Sequence, residues 1–496
     1  MSRTTRQRSG LPALTRRIHF YAGLFIAPFI FIAALSGALY AIAPTLENLV
    51  YKDVLTVSAP EGGDATEVPL ASQIKAAQNS HPDMDVAQVW PSSKADEPTR
   101  VLLIDESLAD NSELRSIFVD PYTGSVMGDE PSYSGLGELP LRHWISATHK
   151  NLHLGEVGEL YSEIAASWLW VVALGGLFLW WRMARKRALT GLENKSGRRR
   201  KVLNLHGVAG TWLLVGMLGL SATGITWSVF AGGNVDRTIT WLGGKAEPIE
   251  TSLVAQPEAA EADPHAEHNH SGAAAAGGLT PAQISDQAAT VLDTARAEGL
   301  TGQLRLFVPE DTDHAWQASE RWVPWRLTSD AVSVNGETGE VVDRLPFSEL
   351  PLFSKLTQWG IYIHMGIMFG LALQITLALV ALGICAMVVM GYIMWWRRRP
   401  TKNGVAGVPG RADLTRTDWV IIAAVGIPVG LFLPLLGLSF AAMLVADRLL
   451  ARRRKPATES AVESESDLNA GSNPDPDPEQ EKEPQLCLLY TSPSPR

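Results

Sequence analysis

The sequence predicts an α-helical polytopic membrane protein with two small α+β domains outside the bilayer. The plan is a tandem duplication of helix, outer domain and helix, followed by a C-terminal apolar hairpin or kinked span. Three observations carry this reading. The hydrophobic residues, 46% of the 496, are gathered into blocks of membrane-crossing length. Charge is sorted between the segments that separate those blocks. A histidine–glycine pattern at the start of one block recurs in a second, 187 residues later.

The net charge of −10 averages two unlike faces. Residues 1–17 hold five Arg and no acid, 182–201 hold nine basic residues against Glu193 alone, and 397–417 hold six against Asp413. Residues 45–158 reverse the balance, with 7 Lys/Arg and 18 Asp/Glu. The short basic loops therefore belong in the cytoplasm and the long acidic segments outside, which implies a multi-pass protein of a bacterial cytoplasmic membrane with a cytoplasmic N-terminus.

After a basic N-terminus (1–16), the first span is expected at 17–43. Its basic flank would suit a signal peptide, but its apolar length suits a retained span better. The first outer domain covers 44–156, with a helix over 67–80, strands over 86–90, 100–104 and 116–119, and a turn at Asp120-Pro121-Tyr122-Thr123-Gly124. A second span follows at 157–181, a basic loop at 182–202 and a third span at 203–231. Residues 232–355 hold an Ala/Gly-rich linker containing His265, His268 and His270, then a second outer domain with a helix over 281–297. A fourth span is expected at 356–396 and a cytoplasmic loop at 397–418. The apolar segment 419–450 contains Pro428 and Pro434 and reaches only about 48 Å as a helix. That is too short for two full spans and leaves a re-entrant hairpin and one kinked span both open. The acidic tail, 451–496, reads as disordered, and its end from Cys487 to Arg496 reads as translated adapter sequence.

The duplication is visible residue by residue. His19, Ser36, Gly23 and Gly37 correspond to His206, Thr223, Gly210 and Gly224. His153-Leu154-Gly155 leads to Trp180-Trp181-Arg182 as His364-Met365-Gly366 leads to Trp395-Trp396-Arg397. In the outer domains, Val119-Asp120-Pro121-Tyr122-Thr123-Gly124-Ser125-Val126 matches Val334-Asn335-Gly336-Glu337-Thr338-Gly339-Glu340-Val341. A short helix with antiparallel strands ending in this turn resembles a PepSY domain. Joined to spans that carry His-x3-Gly, it resembles the PepSY-associated transmembrane family over about 15–400. That resemblance implies an inner-membrane haem protein acting as a ferric-siderophore reductase.

Taken from the residues alone, His19 and His206 lie beside the cytoplasmic flanks and His153 and His364 near the outer interface. Two repeats entering from the same side can be related by a twofold axis along the membrane normal. His19 then faces His206, and His153 faces His364. Opposed imidazoles are what a six-coordinate b-type haem requires, and two such haems would carry electrons across the bilayer. His149 competes with His153, being four residues away on the same helical face. Gly360 stands at the position matching His149, so the symmetry favours His153. His143 has no counterpart. The bland reading of any single histidine here is an interfacial polar residue.

The remaining features weigh less. His265, His268 and His270 form a weak candidate metal site. Trp316, Trp322 and Trp325 with Arg321 and Arg326 suit a domain core better than an aromatic, basic face for an anionic chelate. Trp168, Trp170 and Trp212 read as packing or interfacial anchors first, and as an electron relay second. Glu163 and Gln374 lie within spans, where polar groups are functional candidates. Cys385 reads as packing. There is no CxxCH, GxGxxG or P-loop. Electrons would therefore come from a cytoplasmic donor or a quinol, with a ferric chelate or siderophore as acceptor, the lipid bilayer as surroundings and no nucleic-acid partner. The alternative is a scaffold or signalling protein whose PepSY domains bind a peptide or protease outside.

Overall fold

In the computed structural model, residues 10–60, 66–108, 113–133, 135–190, 198–254, 278–397 and 415–452 are described. The first apolar block forms α1 (Gly10–Val50), whose 41 residues extend past both expected ends. Pro44 is absorbed inside it, and a π-helical segment, Ala22–Ile26, interrupts it.

The first outer domain begins with α2 (Leu70–Ser80) and continues through β1 (Val86–Trp90), β2 (Thr99–Ile104), β3 (Leu114–Val119) and β4 (Val126–Ser132). Then come α3 (Pro140–Asn151) and the long α4 (Gly155–Thr190). The third apolar block, expected as one helix, is three: α5 (Arg198–Trp212), α6 (Leu214–Thr226) and α7 (Val229–Trp241). The second outer domain supplies α8 (Pro281–Ala297), capped by Thr280 in a capping box with Gln283, then β5 (Leu304–Phe307), β6 (Trp316–Glu320), β7 (Ala331–Val334) and β8 (Val341–Leu345).

The fourth block also divides, into α9 (Leu352–His364) and α10 (Gly370–Trp396), because Gly366 and Gly370 take positive φ between them. The last segment breaks at Leu433 into α11 (Arg416–Phe432) and α12 (Pro434–Arg452). Among the described residues, three helices are long and apolar enough to cross a membrane, Gly10–Val50, Gly155–Arg185 and Gly370–Trp396. The pair α5–α6, bent by 58°, makes a fourth if it is one span. The protein is a helical membrane protein with an α+β part.

The two outer domains are not separate bodies. Their strands form one antiparallel eight-stranded sheet in the order β4-β3-β2-β1-β5-β6-β7-β8, which reads as the same meander from either edge. The joint is β1 against β5, with Val89 opposite Leu306 and Gln88 opposite Phe307. Each meander alone would leave β1 or β5 as an open edge, and pairing them satisfies both rows of backbone groups. It also merges the cores. Ile74 of α2 and Ile284, Ala288 and Val291 of α8 pack with Val89, Val101, Leu304 and Leu306 on one sheet face. Trp90 and Leu102 belong to a second cluster, separate from that core.

The two matched turns are built alike. Gly124 N–H donates to Asp120 O and Gly339 N–H to Asn335 O, each at 2.8 Å, and the Asp120 and Asn335 side chains accept from the backbone two residues on. Gly124 and Gly339 hold φ of 70° and 72°. A Cβ at Gly339 would lie 3.2 Å from Thr290 Cγ2, so Gly339→Ala is expected to cost about 1–2 kcal/mol. Gly339→Asn, which tolerates the left-handed region better, should cost less. Thermal melting of the solubilised protein checks the order, and equal losses would refute it.

Candidate functional site

Two pairs of imidazoles lie about a helix apart. The pair nearer the sheet is His149, in the last turn of α3, with His364, the final residue of α9. Helix α3 turns Arg142 and Ile145 inward, and His149 follows them at helical spacing. The two rings are 6.3 Å apart, centre to centre. Ser36 Oγ donates to Ile32 O at 2.8 Å and lies 3.1 Å from His149 Nδ1. Thr223 Oγ1 donates to Gly219 O at 2.8 Å and lies 2.6 Å from His364 Nδ1.

A hydroxyl has one proton. Once that proton is given to the helix carbonyl, the oxygen can only accept from the ring, so Nδ1 carries the hydrogen and Nε2 keeps its lone pair. The Ser/Thr correspondence of the two repeats thus orients one ring on each side. A Cβ at Gly37 would sit 3.0 Å from His149 Cε1, which is why a glycine follows Ser36. Tyr40 and Trp227, each four residues beyond its hydroxyl, flank His149 and His364 at 6.1 and 5.4 Å.

The other pair is His19 of α1 with His206 of α5, rings 6.5 Å apart. Both line a largely apolar cavity of about 1310 Å³, together with Trp180, Trp395, Arg16 and Arg182. Their Nδ1 atoms are buried without a hydrogen-bond partner of acceptable geometry. The π-helical turn of α1 lies beside this cavity, as such turns often do at functional sites. Gly23 within it lines the cavity, and a Cβ there would meet nothing within 4 Å. A Cβ at Gly176 would meet His19 Cε1 at 3.0 Å, and one at Gly207 would collide with the Trp180 ring. Along α1 the two pairs are separated by roughly 25 Å, taking His19 and Ser36 as markers.

These distances test the implied haem. Two metal–imidazole bonds of about 2.0–2.1 Å, with about 1.1 Å more from each nitrogen to its ring centre, put trans imidazoles roughly 6.3 Å apart. Both pairs stand at that separation. The donor set agrees as well. Among the described residues no group of three or more His, Cys, Asp or Glu is placed to hold a metal ion. Two imidazoles are too few for a zinc site, whereas a haem would bring its own nitrogen ligands and would need only the two histidines of a pair to hold it. The residues fit the group.

His153 is placed differently from the symmetry expectation, because the structure brings His149, not His153, to His364. Leu152 and His153 both take positive φ, 55° and 57°, and this left-handed turn swings the chain from α3 into α4. His153 is exposed, its Nε2 2.8 Å from Thr148 Oγ1 and its ring 5.1 Å from Trp144. A signal for His149 existed. The Trp180–Trp395 correspondence has an offset four longer than that of His153–His364, and with it His149 aligns with His364.

The other candidates take structural places. His143 stacks on Tyr133 at 3.7 Å. Glu163 accepts from Phe230 and Ala231 N–H at 3.0 and 3.1 Å, capping the first turn of α7. Gln374 accepts from Thr45, and Cys385 Sγ lies 3.7 Å from Phe31 O. Trp168 is buried and donates to Ser439, whereas Trp212 is 85% exposed. Trp316 is core, donating to Gln287, while Trp325 is exposed, so the three tryptophans form no common face. His265, His268 and His270 lie outside the described residues. A family model described as the PepSY-associated TM region matches residues 16–398. No curated protein matches the chain.

Proposed function

The chain belongs to the PepSY-associated TM family, and from that membership we propose a haem-containing membrane oxidoreductase. It passes electrons across the cytoplasmic membrane to ferric iron held by a siderophore or other chelator outside. The observation that carries this reading is the pair of imidazole couples, with ring centres 6.5 and 6.3 Å apart, each of which would leave room for an iron held by both histidines. The basic flanks of the first two spans support an orientation with the His19–His206 end in the cytoplasm and the sheet outside. The sheet with its matching halves and the paired histidines support descent from one duplicated helix–domain–helix unit.

Bound haem supplies reversible one-electron chemistry. The chain's own residues do the rest. His149 and His364 offer Nε2 because Ser36 and Thr223 hold their Nδ1–H groups. His19 and His206 are held in an apolar cavity, with Arg16, Arg182 and Arg185 among its lining residues to receive anionic groups. The protein purified from haem-replete cells should show a Soret band that sharpens and shifts on dithionite, with two haems per chain. A colourless preparation would end the reading and favour a peptide-binding scaffold, for which the open edges β4 and β8 offer strand-pairing sites.

Ser36→Ala and Thr223→Val remove one orienting hydrogen bond each. Haem retention at the His149–His364 pair should fall about 10–100-fold for each, with a shifted midpoint potential in what is retained. Ser36→Thr should restore both. Redox titration checks this, and a potential unmoved in Ser36→Ala and Thr223→Val would refute it.

A further inference from the structure

We propose that a second, smaller cavity, between the sheet and the sheet-side ends of the helices, is a binding site for an oxyanion group, a carboxylate first. The cavity measures about 210 Å³ and is lined by Arg100, Arg142, Arg305 and Arg321, with Trp90 and Trp322 among its walls. Glu47 is its one acidic lining residue. The inference does not depend on the redox reading, because it rests on the arginines alone.

Arg100 and Arg142 are incompletely matched. Arg321 is held by Glu97 at 3.0 Å, and Arg142 by Glu138 at 3.2 Å and Glu47 at 3.9 Å. Arg142 is 6% exposed, and its Nη2 is buried with no hydrogen-bond partner. Arg100 meets no carboxylate at ion-pair distance among the described residues. It donates to Gly137 O at 3.2 Å and lies over the rings of Trp90 and Phe118 at 5.4 and 4.9 Å. Arg321 lies over the same Trp90 ring, at 4.4 Å. Two half-buried guanidiniums thus share one buried indole. Burial, and then the Arg321 charge, push Arg100 down to about 10. Like charges gathered at a half-buried site repel one another, and an anion between them relieves that cost.

The guanidinium fork selects the ligand class, since it matches the two oxygens of a carboxylate and serves phosphate or sulfate as well. The volume admits such a group or a small dianion, not a whole iron chelate. Two sources share this chemistry. One is a soluble small carboxylate. The other is a carboxylate of a porphyrin bound at the neighbouring His149–His364 pair, to which Tyr40 connects the cavity through Glu138 and Arg142.

The full-length protein in detergent, from haem-deprived and haem-replete cells, would be titrated with succinate, phosphate and sulfate by calorimetry, with tryptophan fluorescence as a second readout. Saturable succinate binding by the haem-free protein is expected, weakened at least tenfold in Arg100→Gln and less in Arg100→Lys. Arg321→Gln serves as the second variant should Arg100→Gln fold poorly, as judged by melting. Binding that persists in haem-loaded protein identifies a soluble anion, whereas binding abolished by haem identifies the porphyrin carboxylate. Absence of saturable binding in the haem-free protein overturns the proposal, and so does equal affinity in the wild type and the folded arginine variant. If the chain takes up no haem at all, the haem-free titration decides alone.

Discussion

His149→Ala and His364→Ala should each remove one haem of two, while His153→Ala leaves haem content and spectrum unchanged. The reasoning is positional. The His149 and His364 rings are 6.3 Å apart, and each has its Nδ1 engaged by a hydroxyl. The exposed His153 is held through Nε2 to Thr148 in a left-handed turn. An iron with one axial imidazole left would go from six-coordinate to five-coordinate, so residual haem should change from low to high spin and bind carbon monoxide. His19→Ala and His206→Ala should do the same to the other haem and leave this one intact, because roughly 25 Å of helix separates the pairs. Haem quantitation with reduced-minus-oxidised spectra of the five variants makes the measurement. Loss of half the haem in His153→Ala, with none in His149→Ala, would refute the assignment.

Arg142→Ala is expected to destabilise the protein by roughly 3–5 kcal/mol, the range for removing one partner of a buried ion pair. Arg142 sits between Glu138 and Glu47, whose side chains are 4% and 8% exposed. Burial by itself would lower its pKa, but Glu138, Tyr40 and Glu47 outweigh burial and hold it above its ordinary value. The carboxylates are tied in turn: Tyr40 OH donates to Glu138 at 2.9 Å, and Leu139 N–H to Glu47 at 2.7 Å. Truncating the arginine strands two buried carboxylates at the place where α3, the carrier of His149, is fastened to α1. The double variant Arg142→Ala/Glu138→Gln should recover part of the loss, since only one stranded charge would remain. Thermal unfolding in detergent measures this, and a melting point within a degree of wild type for Arg142→Ala would defeat the argument.

Much of this architecture was legible before any coordinates. The helix at 281–297 begins and ends where its pattern placed it, and the turns at Asp120 and Asn335 carry the side-chain contacts their residue types imply. These features are local, set by periodicity, caps and turn chemistry within a few residues. Helix breaks were less legible. Residues 356–396 hold no Asp, Glu, Lys or Arg, and composition does not say that Gly366 and Gly370 will adopt positive φ.

The sequence by itself determined that the chain is a membrane protein, because apolar length and charge sorting are properties of the chain read along its length, and the histidine–glycine pattern at a fixed offset is read there too. Only tertiary structure decided that the two groups of four strands close into one sheet, since the β1–β5 joint unites strands more than 200 residues apart. It likewise decided that His149 and not His153 meets His364. Four residues on a helix bring two side chains to one face, but two residues in the left-handed region send the second away, and sequence spacing does not register that turn.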